Sequence, residues 1–224
     1  MKQKTIFTSG EGDKWYERNE DALLNKDFSQ DLIVEEIIDL IDENQSDIGL
    51  NKKMLRLLEI GCGEGGRLKY LQDNYSIKCS GIEPSKKAVE KAKSKGIQAK
   101  IGTADCLEFN DGAFDIVLFG FCLYLCDRDD LFQIAYEADR VIRDQAFIVI
   151  LDFFHPVKYQ KNKYIHQDGI YSHKMDYRSL FNWHPFYECY RHKVMHHSNL
   201  SFTDEMDEWI AVSVLRKNKN FSYE

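Results

Sequence analysis

The stretch LLEIGCGEGG, residues 57–66, constrains this chain more than any other part of it. An apolar run ends in four glycines, Gly61, Gly63, Gly65 and Gly66, and RLKYLQDNY follows with the character of a helix. Glycine lets a backbone turn sharply and approach a ligand closely, because no Cβ intervenes. The start of the following helix offers unpaired N–H groups and the positive end of a dipole. Strand, glycine turn and helix in that order are the opening unit of a parallel α/β sheet.

The rest of the chain continues that alternation. KCSGIEPS reads as a second strand, SKKAVEKAKSKG as a helix stopped by Gly96, and QAKIGTAD as a third strand. FDIVLFGFCLYL is a fourth strand, DLFQIAYEADRVI an amphipathic helix and QAFIVILDFF a fifth strand. ECYRHKVMHH and EWIAVSVLRK are further strands. Before the sheet, residues 28–43 place Leu32, Ile33, Ile37, Leu40 and Ile41 on one helical face, with Ser29 or Asp27 as its cap. The expected organisation is a helical N-terminal lid over residues 1–50 and an α/β domain over 51–224. An insertion that breaks the alternation is expected about 155–190. Residues 44–53 read as a polar loop.

Composition narrows the partners. The net charge is −7 and no polybasic run occurs, so the electrostatic footprint of a nucleic-acid binder is missing. No stretch reaches the roughly 20 apolar residues that span a bilayer, and no signal peptide opens the chain. Six cysteines form no C-x-x-C pair. Together these predict a cytoplasmic protein with reduced thiols and no membrane anchor. The seven histidines include no H-E-x-x-H, and His196-His197 in a strand would point to opposite faces, so no metal is expected.

The glycine loop leaves its ligand open. Gly61, Gly63 and Gly66 satisfy G-x-G-x-x-G, and Glu83 lies at the distance at which a dinucleotide domain binds ribose. Three features point elsewhere. Glu59 precedes the glycines in E-x-G-x-G-x-G, Ala104-Asp105-Cys106 follows the third strand, and FDIVLFG leads through a helix to AFIVILDF. Taken in order over residues 55–155, they resemble the motif series of class I, Rossmann-like S-adenosylmethionine-dependent methyltransferases. That resemblance implies a seven-stranded, mostly parallel sheet with the last strand antiparallel and helices on both faces. EWIAVSVLRK fits the last strand.

Carried over by residue, the resemblance puts Glu59, Gly61, Cys62 and Gly63 along the methionine half of the donor. Glu83 would accept both ribose hydroxyls. Pro84 and Ser85 would shape the adenine edge. Asp105, with the backbone of Ala104 or Cys106, would hold adenine, and Phe119 and Gly120 would approach the sulfonium. Asp105 reads equally as a helix cap.

GEGDKWYERN resembles segments that fold over the donor in small-molecule methyltransferases, and more weakly methylases of bacterial surface-sugar pathways. Tyr16 or Trp15 would close over the sulfonium, since aromatic faces attract cations, with Arg18 reaching a carboxylate. The same residues also suit a hydrophobic staple. In the insertion, YIHQDGIYSHKMDYRSLFNWHPFY is rich in His and Tyr, which makes Tyr171, His173 and Tyr177 candidates for the acceptor, with Trp15 of the N-terminal segment converging on the same place. Asp152 and His155, just after the fifth strand, are the candidate bases; Tyr124 and His173 are weaker ones. The expected reaction is methyl transfer from S-adenosyl-L-methionine, leaving S-adenosyl-L-homocysteine, to a small molecule such as a sugar or sugar acid. A donor-binding, non-catalytic subunit and a nicotinamide oxidoreductase are the alternatives. Acceptor atom, pathway and oligomeric state are not legible.

Overall fold

The computed structural model describes residues 2–43, 55–157 and 159–220. The polar loop and the lid boundary near residue 50 lie outside these. Helices α1 (Gln3–Ile6) and α2 (Gly12–Leu24) are joined through a π turn, and α3 (Leu32–Glu43) follows. The sheet strands are β1 (Arg56–Ile60), β2 (Lys78–Glu83), β3 (Gln98–Ile101), β4 (Phe114–Gly120) and β5 (Ile142–Phe153). Between them run α4 (Gly66–Tyr75), α5 (Lys86–Ser94) and α6 (Leu131–Val141). A two-stranded ribbon, β6 (Gln160–Lys163) and β7 (Tyr171–Lys174), fills the insertion, and β8 (Tyr187–His196) and β9 (Trp209–Lys217) complete the sheet.

The seven strands stand in the order β3-β2-β1-β4-β5-β9-β8. The first five are parallel, and β9 inserts antiparallel between β5 and β8. Strand order reverses between β1 and β4, where α/β sheets open a crevice at the carboxyl ends of the strands. Both faces are covered, as the near-continuous apolar strands require. The two-residue period assigns the side chains. Leu57, Ile116, Leu118, Phe147 and Val149 pack on one face with α3 and α4; Leu58, Val117, Phe119, Ile148 and Ile150 pack on the other with α6.

The local readings need four corrections. Helix α3 is capped by Asp31, whose carboxylate accepts the Ile33 and Val34 N–H groups, while Asp27 caps only the short turn at Phe28–Gln30. With Ile33, Ile37 and Leu40 buried, α3 belongs to the sheet's own helical layer, so the part that lies over the strand ends is α1 and α2. Strand β4 stops at Gly120, because Phe121 takes a left-handed φ of 54° and Leu123–Leu125 form a 3-10 turn. Strand β8 stops at His196, so His196 and His197 do not alternate. Their rings stack 5.1 Å apart, and with Glu208 they bring three ligand-type atoms within 4.8 Å of one another.

Candidate active site

A cleft of about 820 Å³, including its open mouth, lies over the carboxyl ends of β1 to β4. Of the glycine turn, Gly61 lines the cleft and Gly63 does not. Gly61 has φ +76° and Gly63 φ +52°, conformations that glycine adopts without strain. The Gly61 and Cys62 N–H groups bond Ile82 O at 2.8 and 3.1 Å, which ties the turn to β2. A Cβ on Gly61 would come 2.7 Å from Cys122 Cβ, whereas one on Gly63 would meet nothing within 4 Å.

Glu83, at the end of β2, lines the cleft. Its two oxygens accept the N–H groups of Gly63 (3.0 Å) and Ser85 (2.9 Å). Burial pushes its carboxyl up to about 7 despite those two donors. Pro84 is on the wall as well. Ser85 is not; it caps α5 through Ala88 N–H and donates to Asp13 of α2. Ala104 and Asp105 line the far end. Cys106 is exposed and pairs with Thr103 across a small bridge.

Several expected residues sit elsewhere. Glu59 has the strand parity of Leu57 and so faces α3 and α4. There it is buried against Arg67, with its Oε2 lacking a hydrogen-bond partner among the described residues. Arg67 also binds Asp31 at 2.9 and 3.2 Å. Burial raises Glu59 to about 7, while Arg67 and Lys26 outweigh burial at Asp31 and hold it well below the carboxylate range. Cys62 packs beneath the turn against Gly81, and Phe119 is wholly buried in the core. The end of β4 reaches the cleft through Phe121 and Cys122 instead.

Trp15 is on the wall, beside Tyr124. Tyr16 is buried, its one hydroxyl proton shared between Glu20 at 3.2 Å and Glu64 at 3.3 Å. Arg18 reaches a carboxylate of the chain itself, Glu11 at 2.5 Å, and the Tyr164 hydroxyl at 3.0 Å. The insertion and the N-terminal helices do meet: Gln3 exchanges hydrogen bonds with the backbone of Tyr171 at 2.8 and 3.1 Å.

Neither candidate base reaches the wall. Asp152 shares the parity of Ile150 and is buried toward Tyr177, accepting the Tyr124 and Phe153 N–H groups. Burial raises it to about 7. His155 is buried, with Nδ1 accepting Val157 N–H. Of the acceptor candidates, His173 and Tyr177 are buried and Tyr171 is exposed beneath Lys161. Burial lowers His173 to about 4, so it is neutral, and its Nδ1 lies 2.6 Å from the Tyr159 hydroxyl. Tyr177 donates to His173 O.

Lys4, Phe7, Leu125, Asp127 and Asp130 also line the cleft. The sequence reading missed them. Only the acidic string DRDD after β4 was a signal; nothing periodic marks a lysine that pairs across a hundred residues.

Residues 58–150 match the Methyltransferase domain family. Ajmaline N-methyltransferase of Rauvolfia serpentina is 34% identical over 113 residues, 46% of this chain and 38% of that protein. The chloroplastic tocopherol O-methyltransferase of Arabidopsis thaliana is 35% identical over 74 residues, 30% of this chain and 21% of that protein. The matched stretch therefore spans less than half the length of these relatives. The crystal structure of Burkholderia thailandensis 1,6-didemethyltoxoflavin-N1-methyltransferase, with 1,6-didemethyltoxoflavin and S-adenosylhomocysteine bound, superposes with a TM-score of 0.66 at 13% identity, covering 96% of this chain and 87% of that one. Residues 58–150 thus match a methyltransferase domain family, and they sit in a sheet that shares its fold with the Burkholderia enzyme.

Proposed function

We propose that the chain transfers a methyl group from S-adenosyl-L-methionine to a small-molecule acceptor at nitrogen or oxygen. One observation carries this reading: a single cleft runs from a glycine turn past a buried carboxylate, Glu83, to a second carboxylate, Asp105, between apolar walls. Glu83 suits a ribose diol, and a carboxylate there disfavours the 2′-phosphate of a nicotinamide cofactor. Asp105 suits the adenine amino group. Ile82, Leu125 and Ile134 suit the faces of the base. The turn offers backbone groups to the amino-acid end, and Glu59 with Arg67 stiffens the strand end beneath it. The donor supplies a sulfonium-activated methyl group. The protein's part is then to orient the acceptor in line and to exclude water.

Trp15, Phe121 and Cys122, with Cys122 beside Gly61, give the cleft an uncharged part of its lining. Such a wall fits an apolar or heterocyclic acceptor better than the sugar or sugar acid expected from the sequence. The compound bound in the Burkholderia enzyme and the ajmaline in the Rauvolfia relative's name favour the same choice. Asp152 acts in this reading by fixing the Tyr124 backbone rather than by taking the acceptor's proton.

Calorimetry with S-adenosylhomocysteine tests the donor site. Mass spectrometry of a cell extract incubated with the protein and donor, searched for products heavier by one CH₂, tests the reaction. NADH binding tighter than the adenosyl compounds overturns the reading. Donor binding without any methylated product favours the non-catalytic subunit.

A further inference from the structure

Helix α1 is fastened to the rim of the cleft by an unusual concentration of charge. The Lys4 ammonium bonds Asp105, and Asp130 at 2.8 Å; Lys2 reaches Asp130 as well. The Asp127 carboxylate accepts the backbone N–H groups of Gln3 and Lys4, each at 2.9 Å. The Gln3 side chain donates to Leu125 O at 2.8 Å. Three carboxylates that would repel one another thus converge on one short helix, and its lysine neutralises two of them. Burial disfavours charge on Asp105, yet its bonds to Lys4 and Thr103 hold it below the usual carboxylate range.

Helix α2 is held separately. Asp13 accepts Ser85 Oγ–H and Lys87 N–H, and Gly12 packs so closely on Ser85 that a Cβ there would come 3.2 Å from its nitrogen. Between the two anchors stands Gly10, with φ +145° and nothing within 4 Å of a Cβ position. A glycine in that conformation, free of packing, is a pivot about which α1 can swing while α2 stays in place.

We propose that Lys4 is a donor-site residue and a latch: it closes α1 over the adenine end of the cleft by binding Asp105 and Asp130, and donor exchange requires that these ion pairs break. This rests on the reading of the cleft as an adenosyl site. Asp105 accepts hydrogen bonds and Lys4 donates them, so the closed latch sets an acceptor beside a donor at the end where a base with both kinds of group would lie. The pairs are partly exposed, with Lys4 33% and Asp105 16% accessible. Salt therefore weakens the latch.

The test is the dissociation rate of S-adenosylhomocysteine from the full chain, followed by stopped-flow chase at low and high sodium chloride, with equilibrium affinity from calorimetry. In the wild type, dissociation accelerates with salt. Lys4→Met raises the low-salt rate about tenfold or more, as expected on losing a charged hydrogen-bond donor, and flattens the salt response. Lys4→Arg keeps most of the wild-type behaviour. Asp127→Asn, which unties the α1 backbone while leaving the cation, also speeds dissociation and decides the matter if Lys4→Met fails to fold. Wild-type rates and salt response in a folded Lys4→Met, or in Asp127→Asn where that variant alone is folded, overturn the latch. Absence of binding by the wild type overturns instead the adenosyl reading of the cleft.

Discussion

Glu83 Oε2 accepts the backbone N–H of Gly63 at 3.0 Å, so the carboxylate at the end of β2 holds the glycine turn that follows β1. One side chain thereby holds the turn and presents a charge to the cleft. Substituting Glu83→Ala removes both effects. Donor affinity should fall by roughly 1.5–3 kcal/mol or more, the range for hydrogen bonds to a charged group. Glu83→Gln should keep part of the turn's geometry and lose less. Calorimetry on the two variants, with circular dichroism as a control for folding, reads this out. Equal affinity in wild type and Glu83→Ala would remove Glu83 from the site.

The two glycines of the turn should respond differently to alanine. Each has positive φ, so each alanine carries about 1–2 kcal/mol of left-handed strain. At Gly61 the new Cβ also meets Cys122 Cβ at 2.7 Å, whereas at Gly63 it meets nothing. Gly61→Ala should therefore lose more stability in urea than Gly63→Ala. Gly63→Ala should remain folded and lose donor affinity, because strain at its positive φ disturbs the N–H that Glu83 accepts. The reverse ranking of stabilities would contradict the geometry of the turn.

Much of this arrangement is legible in the sequence because it depends on period and punctuation. The alternation of Leu57 and Leu58 through Ile148 and Val149 fixes two covered faces, and the run of glycines after Ile60 fixes where the sheet opens. Side chains whose partners come from distant elements are not legible. Arg67 sits in the polar string RLKYLQDNY and reads as a surface residue, yet it is buried between Glu59 and Asp31. Parity places Glu59 on the face of Leu57, under α3, but only a structure supplies the cation waiting there. Phe121 reads as a strand residue because the apolar run continues past it; its positive φ breaks the strand and turns the chain to the cleft. The salt bridges of Lys4 leave no trace in any local window.

Arg67→Met tests the buried triad. Removing the guanidinium leaves the Glu59 carboxyl buried without its cation, while Asp31 keeps Lys26 and the α3 N–H groups, and this should cost roughly 3–5 kcal/mol of stability. The double variant Arg67→Met with Glu59→Gln should recover part of the loss, because one buried charge goes with the cation. A midpoint in urea unchanged by Arg67→Met would show that water or another group compensates the pair.

Asp152 gives a pH dependence with a definite sign. Burial holds its folded carboxyl near 7, above the ordinary value of 3.8. A group whose folded state binds its proton more tightly stabilises the fold at low pH. That contribution is complete below about 4 and is lost as pH rises toward 7. Relative to Asp152→Asn, the wild type should therefore lose stability between pH 4 and 7 and change little above 7. Thermal melts of both proteins across that interval check it, since the other titrations of the chain cancel in the difference. A difference that grows in the wild type's favour with rising pH would mean that Asp152 is ionised in the fold.

Trp15 separates turnover from stability. It lines the cleft beside Tyr124, while its neighbour Tyr16 is 4% exposed and tied to Glu64 and Glu20. If the indole face steadies the cationic donor, Trp15→Ala forgoes a cation–π contact of about 0.5–2 kcal/mol, the larger part when the site is dry. Turnover should fall by up to roughly thirtyfold on that account, with little change in melting temperature. Trp15→Phe should retain much of the rate, because a smaller aromatic face remains. Tyr16→Phe should behave oppositely: it removes a buried hydroxyl from two carboxylates and shifts the melt more than the rate. The measurements are initial rates with labelled donor beside differential scanning calorimetry of each variant. A Trp15→Ala protein that melts lower but turns over normally would make the tryptophan a packing residue of α2 and nothing more.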